Sequence, residues 1–122
     1  MRMKLMAGIL VVGSSIGCTV NTDLPPDDLD PVVQITAPLD GATVNGGVSV
    51  EVNAADNYSV EVVRILIDGT LRGTFYARPY QLVWSTLALQ NNTSHTIVAE
   101  ASDASGNVGR AQVTVTVFNT PQ

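Results

Sequence analysis

The sequence has a single cysteine, a single histidine and no lysine beyond position 4. One thiol, Cys18, cannot form an internal disulfide, so the fold must depend on its hydrophobic core. A zinc site takes three or four nitrogen or sulfur ligands, and His95 is the one histidine that the chain offers. No nucleophile-elbow motif accompanies His95, which argues against a Ser-His-Asp triad. We therefore predict that the protein is not an enzyme and that it uses no cofactor.

Positive charge is scarce as well. The chain carries 6 basic and 11 acidic side chains, and its formal net charge is −5. Two of the basic residues, Arg2 and Lys4, lie at the very start, so the rest of the chain is more acidic still. Binding to nucleic acid or to an anionic lipid surface requires clustered Lys and Arg side chains. The charge pattern therefore predicts no nucleic-acid partner and no membrane contact through charge alone.

The N-terminal segment, residues 1–17, has the layout of a secretory leader. Its basic start is followed by an apolar run from Leu5 to Val12 and by small residues that end at Gly17. The uncharged part, Leu5 to Gly17, is 13 residues long, whereas a membrane-spanning helix needs about 20. We expect a cleaved signal rather than a permanent transmembrane helix.

A leader that ends directly before a lone cysteine resembles the precursor of a bacterial lipoprotein. The resemblance implies that Cys18 is acylated, with palmitate as one such group, and becomes the new N-terminus. Stable anchoring takes about two acyl chains, which this modification supplies. Thr19 after the cysteine is compatible with sorting to the outer membrane. The alternative is an ordinary secretory peptide and a protein that is released.

Residues 18–31 have the composition of a tether. The segment is rich in Asp and Pro, contains little that a core could bury and carries several like charges close together. Such sequences favour an extended spacer of roughly 3 Å per residue. We expect this segment to hold the following domain away from its anchor.

From Val32 onward, apolar and polar residues alternate with a period of two and no segment shows helical periodicity. The pattern predicts a domain over residues 32–118, followed by a short tail over 119–122. Asp68-Gly69 between two strands favours a type I′ hairpin with Ile67 inward, and Trp84 is expected in the core. The fold class is an all-β, immunoglobulin-like antiparallel sandwich of about seven strands without a disulfide. The expected strands are 32–36, 48–55, 60–68, 70–76, 80–85, 95–102 and 111–118.

A set of short segments in fixed order resembles the bacterial Ig-like domains that occur as accessory modules of secreted enzymes and surface proteins. The resemblance implies a spacer, adhesion or ligand-presenting module without catalytic residues, in which His95 is a packing or hydrogen-bonding residue. The segments are 35–44, 55–56, 63–69, 79–80, Trp84, His95 and 101–107.

Two loops contain oxygen-bearing side chains that would suit Ca²⁺, namely Asp56 and Asn57 in one and Asp103 and Asn107 in the other. A calcium-stabilised adhesion domain is one alternative for function. The same residue types are also the standard turn residues, each able to cap its own backbone. No Asp-x-Asp-x-Asp run is present, so we favour the turn interpretation and predict no metal.

Tyr58 lies in a loop among polar neighbours, where its ring can face solvent and stack on a sugar. A secreted carbohydrate-binding module is therefore the second alternative. Unpaired edge strands offer a third kind of contact, the addition of a strand from another protein. The favoured function is a non-enzymatic envelope lipoprotein whose single domain serves protein contact, adhesion or spacing, with a protein or glycan partner of unknown identity.

Overall fold

The computed structural model describes residues 28–120, and this part of the chain is a β-sandwich of eight strands. The alternating pattern explains the strands, because every second side chain of a strand turns toward the same face. No helix long and apolar enough to cross a membrane occurs in residues 28–120. The strands are β1 Val32–Ala37, β2 Thr43–Val44, β3 Gly47–Ala55, β4 Val60–Ile67, β5 Thr70–Phe75, β6 Tyr80–Ser85, β7 Thr93–Asp103 and β8 Val108–Val117.

The strands form two sheets. One has three strands in the order β1-β3-β6, and the other has five in the order β2-β8-β7-β4-β5. Neighbouring strands are antiparallel except β2 and β8, which pair in parallel. The prediction of an all-β, immunoglobulin-like sandwich is confirmed.

One strand was not predicted. β2 is only two residues long, and it pairs Thr43 with Thr116 and Val44 with Val117. Hydrogen bonds continue the pairing, since the Gly41 N–H donates to the Thr114 carbonyl over 2.7 Å. Two residues are too few for a periodic signal, which is why the sequence pattern did not indicate this strand.

The core lies between the two sheets. β3 alternates perfectly between exposed and buried residues along its nine positions. Trp84 is 3% exposed and belongs to this core, as expected. Burial of each large apolar side chain contributes about 1.5 to 3 kcal/mol before chain entropy is subtracted. The residues buried completely or nearly so include Val50, Val63, Ile65, Ile67, Ile97, Val115 and Val117.

The predicted hairpin between β4 and β5 is confirmed. Ile67 pairs with Thr70, which leaves Asp68 and Gly69 as a two-residue turn. Both turn residues have positive φ, 53° and 80°, as a type I′ turn requires. Ile67 is 1% exposed and Asp68 is exposed. Ile67 therefore faces the core and Asp68 faces solvent, as predicted.

The chain enters the domain beside Gly109 of β8. Pro31 and Gly109 are both buried, and a Cβ atom at Gly109 would overlap the backbone carbonyl of Pro31. Only glycine permits this close approach of the two backbones. The predicted leader and Cys18 lie outside the described residues, as does the predicted tether up to residue 27.

Candidate functional site

The loops between the strands lie at the two ends of the sandwich. We name these ends the N-terminal pole, where β1 begins, and the C-terminal pole, where β8 ends. The N-terminal pole holds Pro31 and three loops, residues 56–59, 76–79 and 104–107, as the pairing of Val60 with Asp103 and of Val63 with Phe75 requires. The C-terminal pole holds the β4–β5 turn, the connection 86–92 and the residues after β8. The candidate site residues are divided between these two poles.

Asp103 organises the β7–β8 loop at the N-terminal pole. It is 2% exposed, and its Oδ1 atom accepts hydrogen bonds from the backbone N–H groups of Ser105 and Asn107 over 3.0 and 2.9 Å. Its Oδ2 atom accepts a bond from the Asn107 side-chain amide over 2.9 Å. The carboxylate therefore caps its own loop, as turn-forming aspartates do.

The other two calcium candidates lie on the β3–β4 loop of the same pole. Asp56 accepts a hydrogen bond from the Tyr58 N–H over 3.3 Å, again within its own loop, and Asn57 lies between these two residues. Across residues 28–120 no three His, Cys, Asp or Glu side chains are grouped so that they could hold a metal ion. The geometry favours the turn interpretation of these residues.

His95 lies at the C-terminal pole within hydrogen-bond distance of two side chains. Its Nδ1 atom lies 2.5 Å from Oδ2 of Asp68 and its Nε2 atom lies 2.8 Å from Oγ1 of Thr93. The imidazole also packs against the edge of Trp84, with ring centroids 5.7 Å apart. Its side chain is 12% exposed, which agrees with the expected packing and hydrogen-bonding role.

Thr93, His95 and Asp68 are connected in the same order as the hydroxyl, imidazole and carboxylate of a catalytic triad. The hydroxyl, however, does not donate its hydrogen to the imidazole. Thr93 Oγ1 donates its hydrogen to the Gln90 carbonyl over 2.6 Å. A hydroxyl has one hydrogen, so His95 cannot withdraw the same proton to create a nucleophile. These hydrogen bonds instead connect the β4–β5 turn, the start of β7 and the connection before it.

The charge of Asp68 is stabilised by this network. Burial acts to raise the pKa of its carboxyl, but the hydrogen bonds from His95 and from the Thr96 N–H outweigh that effect. Electrostatic interactions with the His95 imidazole and the Arg72 guanidinium act in the same direction. The pKa of Asp68 is therefore lower than its ordinary value, and the ionised form is favoured in the folded protein.

Asn119 forms a second polar network at the C-terminal pole. Its Oδ1 atom accepts a hydrogen bond from the Gly46 N–H over 2.8 Å, and its Nδ2 atom donates to the carbonyl of the fully buried Thr86 over 2.8 Å. Asn91 exchanges two further bonds with its backbone. The sequence pattern placed Asn119 in a tail, because nothing local to it indicates partners that lie more than 25 residues away.

Two shallow depressions adjoin at Arg78 and Tyr80 near the N-terminal pole, and together we name them the Arg78 groove. The first, of about 240 Å³, lies over the outer face of β3 and β6. The second, of about 280 Å³, continues to the β3–β4 loop and is lined by Tyr58. The groove is also lined by the polar side chains of Thr36, Glu51, Asn53, Asp56, Ser59 and Gln81.

Arg78 divides the two halves of the groove. One nitrogen of its guanidinium donates to the Ala54 carbonyl over 2.9 Å, and within residues 28–120 the side chain forms no ion pair. Tyr80, which also lines both halves, is 7% exposed and belongs to the core, whereas Tyr58 is 40% exposed. The sequence predicted an exposed ring at Tyr58. It did not predict the groove, because β3, β6 and the two loops that line it are adjacent only in the folded chain.

Comparison with known proteins gives a consistent result. The sequence matches the family described as Bacterial Ig domain over residues 31–99. The fibronectin(III)-like modules of CbhA from Clostridium thermocellum are 26% identical and superpose with a TM-score of 0.61, over 74% of this chain and 47% of theirs. The endo-beta-1,4-mannanase from Thermotoga petrophila is 15% identical with a TM-score of 0.60, over 77% and 21%.

These two structures are longer than the present chain, which spans about half of the first and about a fifth of the second. The similarity to the CbhA modules indicates that this chain is a module of the fibronectin(III)-like type. The similarity to the mannanase shows the fold alone. No curated protein matches the sequence.

Proposed function

The chain belongs to the bacterial Ig domain family. From this premise we propose that it is a non-catalytic lipoprotein of the bacterial cell envelope, sorted to the outer membrane as Thr19 after the cysteine favours. Its single sandwich would serve protein contact, adhesion or spacing. The observation that carries the proposal is the order of the sequence: a leader-like segment, a lone Cys18, an acidic spacer and then one Ig-like module.

A non-catalytic role is supported by the way the polar side chains are used. Asp103 caps its own loop, and the hydroxyl of Thr93 donates to a backbone carbonyl rather than facing a cleft. An enzyme of this size would need ionisable groups that converge on a reacting atom. The match to the mannanase covers about a fifth of that enzyme's chain. A module that accompanies other domains would give a match of this kind.

The proposed anchor would be attached to one particular pole of the domain. The chain enters β1 at the N-terminal pole, so the spacer from Cys18 would join the sandwich there. Residues 18–31, when extended at about 3 Å each, span roughly 40 Å. The sandwich would thus be free to reach partners beyond the lipid surface.

Mass spectrometry of the protein extracted from membranes tests the proposal. We expect a chain that begins at Cys18 and carries the added mass of acyl groups, and a Cys18→Ser variant that leaves the membrane fraction. An unmodified chain that retains Met1 and stays in the cytosol would refute the proposal. A chain that is cleaved but carries no acyl mass would instead establish the secreted alternative.

A further inference from the structure

We propose that the Arg78 groove is a binding site for a segment of a neutral polysaccharide. This inference is independent of the lipid anchor and goes beyond the display role, because it assigns a ligand class to a particular surface. It rests on the donors and acceptors that line the groove, on the shape of the groove and on the exposed ring of Tyr58.

The charges around the groove favour a ligand that is neutral. Arg78 lies at its centre, and the carboxylates of Glu51 and Asp56 line its two halves. An anionic ligand would meet two negative groups, and a cationic ligand would meet the guanidinium. A neutral ligand avoids both repulsions, and it also avoids the general repulsion that this acidic chain exerts on anions.

The hydrogen-bonding groups favour a ligand rich in hydroxyls. Arg78 is a donor only, an ionised carboxylate is an acceptor only, and the amides of Asn53 and Gln81 are both. A hydroxyl donates one hydrogen and accepts through two lone pairs, so it can satisfy all of these groups in turn. Glu51 and Gln81 are paired across β3 and β6, which places a carboxylate and an amide side by side on one surface.

The shape of the groove favours a chain of sugars over a single small molecule. Both halves, at about 240 and 280 Å³, are open to solvent, whereas a pocket for a small molecule encloses most of its ligand. The halves share Arg78 and Tyr80 among their lining residues, so together they form one continuous surface that is open to solvent. A polymer segment can lie along such a surface and contact both halves.

Tyr58 provides an apolar surface at one end. Its ring is 40% exposed, and it is the one large apolar side chain lining the groove that is substantially exposed within residues 28–120. The C–H face of a pyranose can pack on an aromatic ring. A protein partner would instead favour several apolar anchors that are desolvated together, and the lining of this groove does not supply them.

Affinity electrophoresis of the purified full chain tests the inference. The native gels contain a neutral mannan, a neutral glucan or polygalacturonate as an acidic comparison. We expect at least one neutral polysaccharide to retard the protein, and Tyr58→Ala and Arg78→Ala to weaken that retardation by about tenfold or more. Tyr76→Ala and Arg64→Ala are matched controls, because both residues are exposed and neither lines the groove.

Thermal melting of each variant separates loss of binding from loss of folding. If Arg78→Ala fails to fold, the exposed Glu51→Gln and Gln81→Ala substitutions probe the same groove without touching the core. The inference is overturned if no neutral polysaccharide binds, if only polygalacturonate binds, or if the controls weaken binding as much as the groove variants. Cross-linking of an envelope protein at Tyr58 without polysaccharide binding would likewise overturn it. None of these outcomes depends on whether Cys18 is acylated.

Discussion

The Nδ1 atom of His95 lies 2.5 Å from Oδ2 of Asp68, so an imidazole at the start of β7 is joined to the turn between β4 and β5. Asp68 also accepts the Thr96 N–H over 3.0 Å. Asp68 therefore has two roles: its backbone adopts the left-handed conformation of the type I′ turn, and its carboxylate bonds to β7.

We expect Asp68→Asn to lower stability by less than about 1 kcal/mol near neutral pH, because the carboxylate is half exposed and solvent screens its interactions. Asparagine tolerates positive φ, so the substitution removes mainly the charge. The pKa of Asp68 is lower in the folded protein than its ordinary value of 3.8. Its stabilising effect is thus present above that value and is lost as pH falls through the folded pKa.

Melting temperatures of the wild type and Asp68→Asn, recorded from about pH 6 to about pH 2, check this prediction. The difference between the two proteins should shrink at the acid end. Glu61→Gln, which changes an exposed carboxylate on β4, is the control and should show no such pattern. A difference between wild type and Asp68→Asn that stays constant over the whole range would contradict the prediction.

Asp103→Ala should destabilise the domain more strongly. The substitution leaves the N–H groups of Ser105 and Asn107 without the acceptor that they have in the native loop. Loss of a buried hydrogen-bond acceptor costs about 1 to 3 kcal/mol, and more where the acceptor is charged. Urea unfolding measures the change, and a loss below about 0.5 kcal/mol would show that the loop does not depend on this cap.

Gly109→Ala should displace the beginning of β1. The added methyl group would overlap the Pro31 carbonyl, and backbone cannot move aside as a side chain can. We expect a loss of about 1 to 3 kcal/mol and faster hydrogen exchange in β1. Gly47→Ala is the matched control, because its methyl group would approach only the exposed side chain of Val83. Equal effects of the two substitutions would argue against a tight contact at Pro31.

Asn119→Ala should loosen the C-terminal pole. The side-chain amide bonds to Gly46 and to the buried Thr86, and both partners would lose a hydrogen bond at once. A cost of about 2 kcal/mol is expected, since each such loss contributes about 1 kcal/mol. Chemical denaturation of Asn119→Ala and of Thr120→Ala provides the comparison. Thr120 is exposed and should tolerate the change, so similar losses for both would contradict the role of Asn119.

Much of the fold could be predicted from the sequence because its signals are local. The alternation in β3 and the Asp68-Gly69 turn each lie within a few residues, and Trp84 is on the apolar face of its own strand. These features determine the strands, one hairpin register and part of the core. Short-range patterns are sufficient wherever one face of a strand is buried.

The remaining features could not be predicted because they depend on distant parts of the chain. β2 is recognisable only beside β8, and Asn119 acquires its role only when residue 46 is next to it. Of the Arg78 groove, Tyr58 was indicated by its loop, but Arg78 itself had no local signal. Surface sites built from several strands require the tertiary structure before their members can be recognised.

The parallel pairing of β2 with β8 has a mechanical consequence. The chain enters at one pole beside Pro31 and leaves β8 at the other, so a pull on the two ends acts along the strands. The hydrogen bonds between β2 and β8 are then loaded in shear and strained together, whereas peeling a hairpin apart would break its bonds one by one. We therefore expect the domain to resist stretching along its strands without the help of a covalent cross-link.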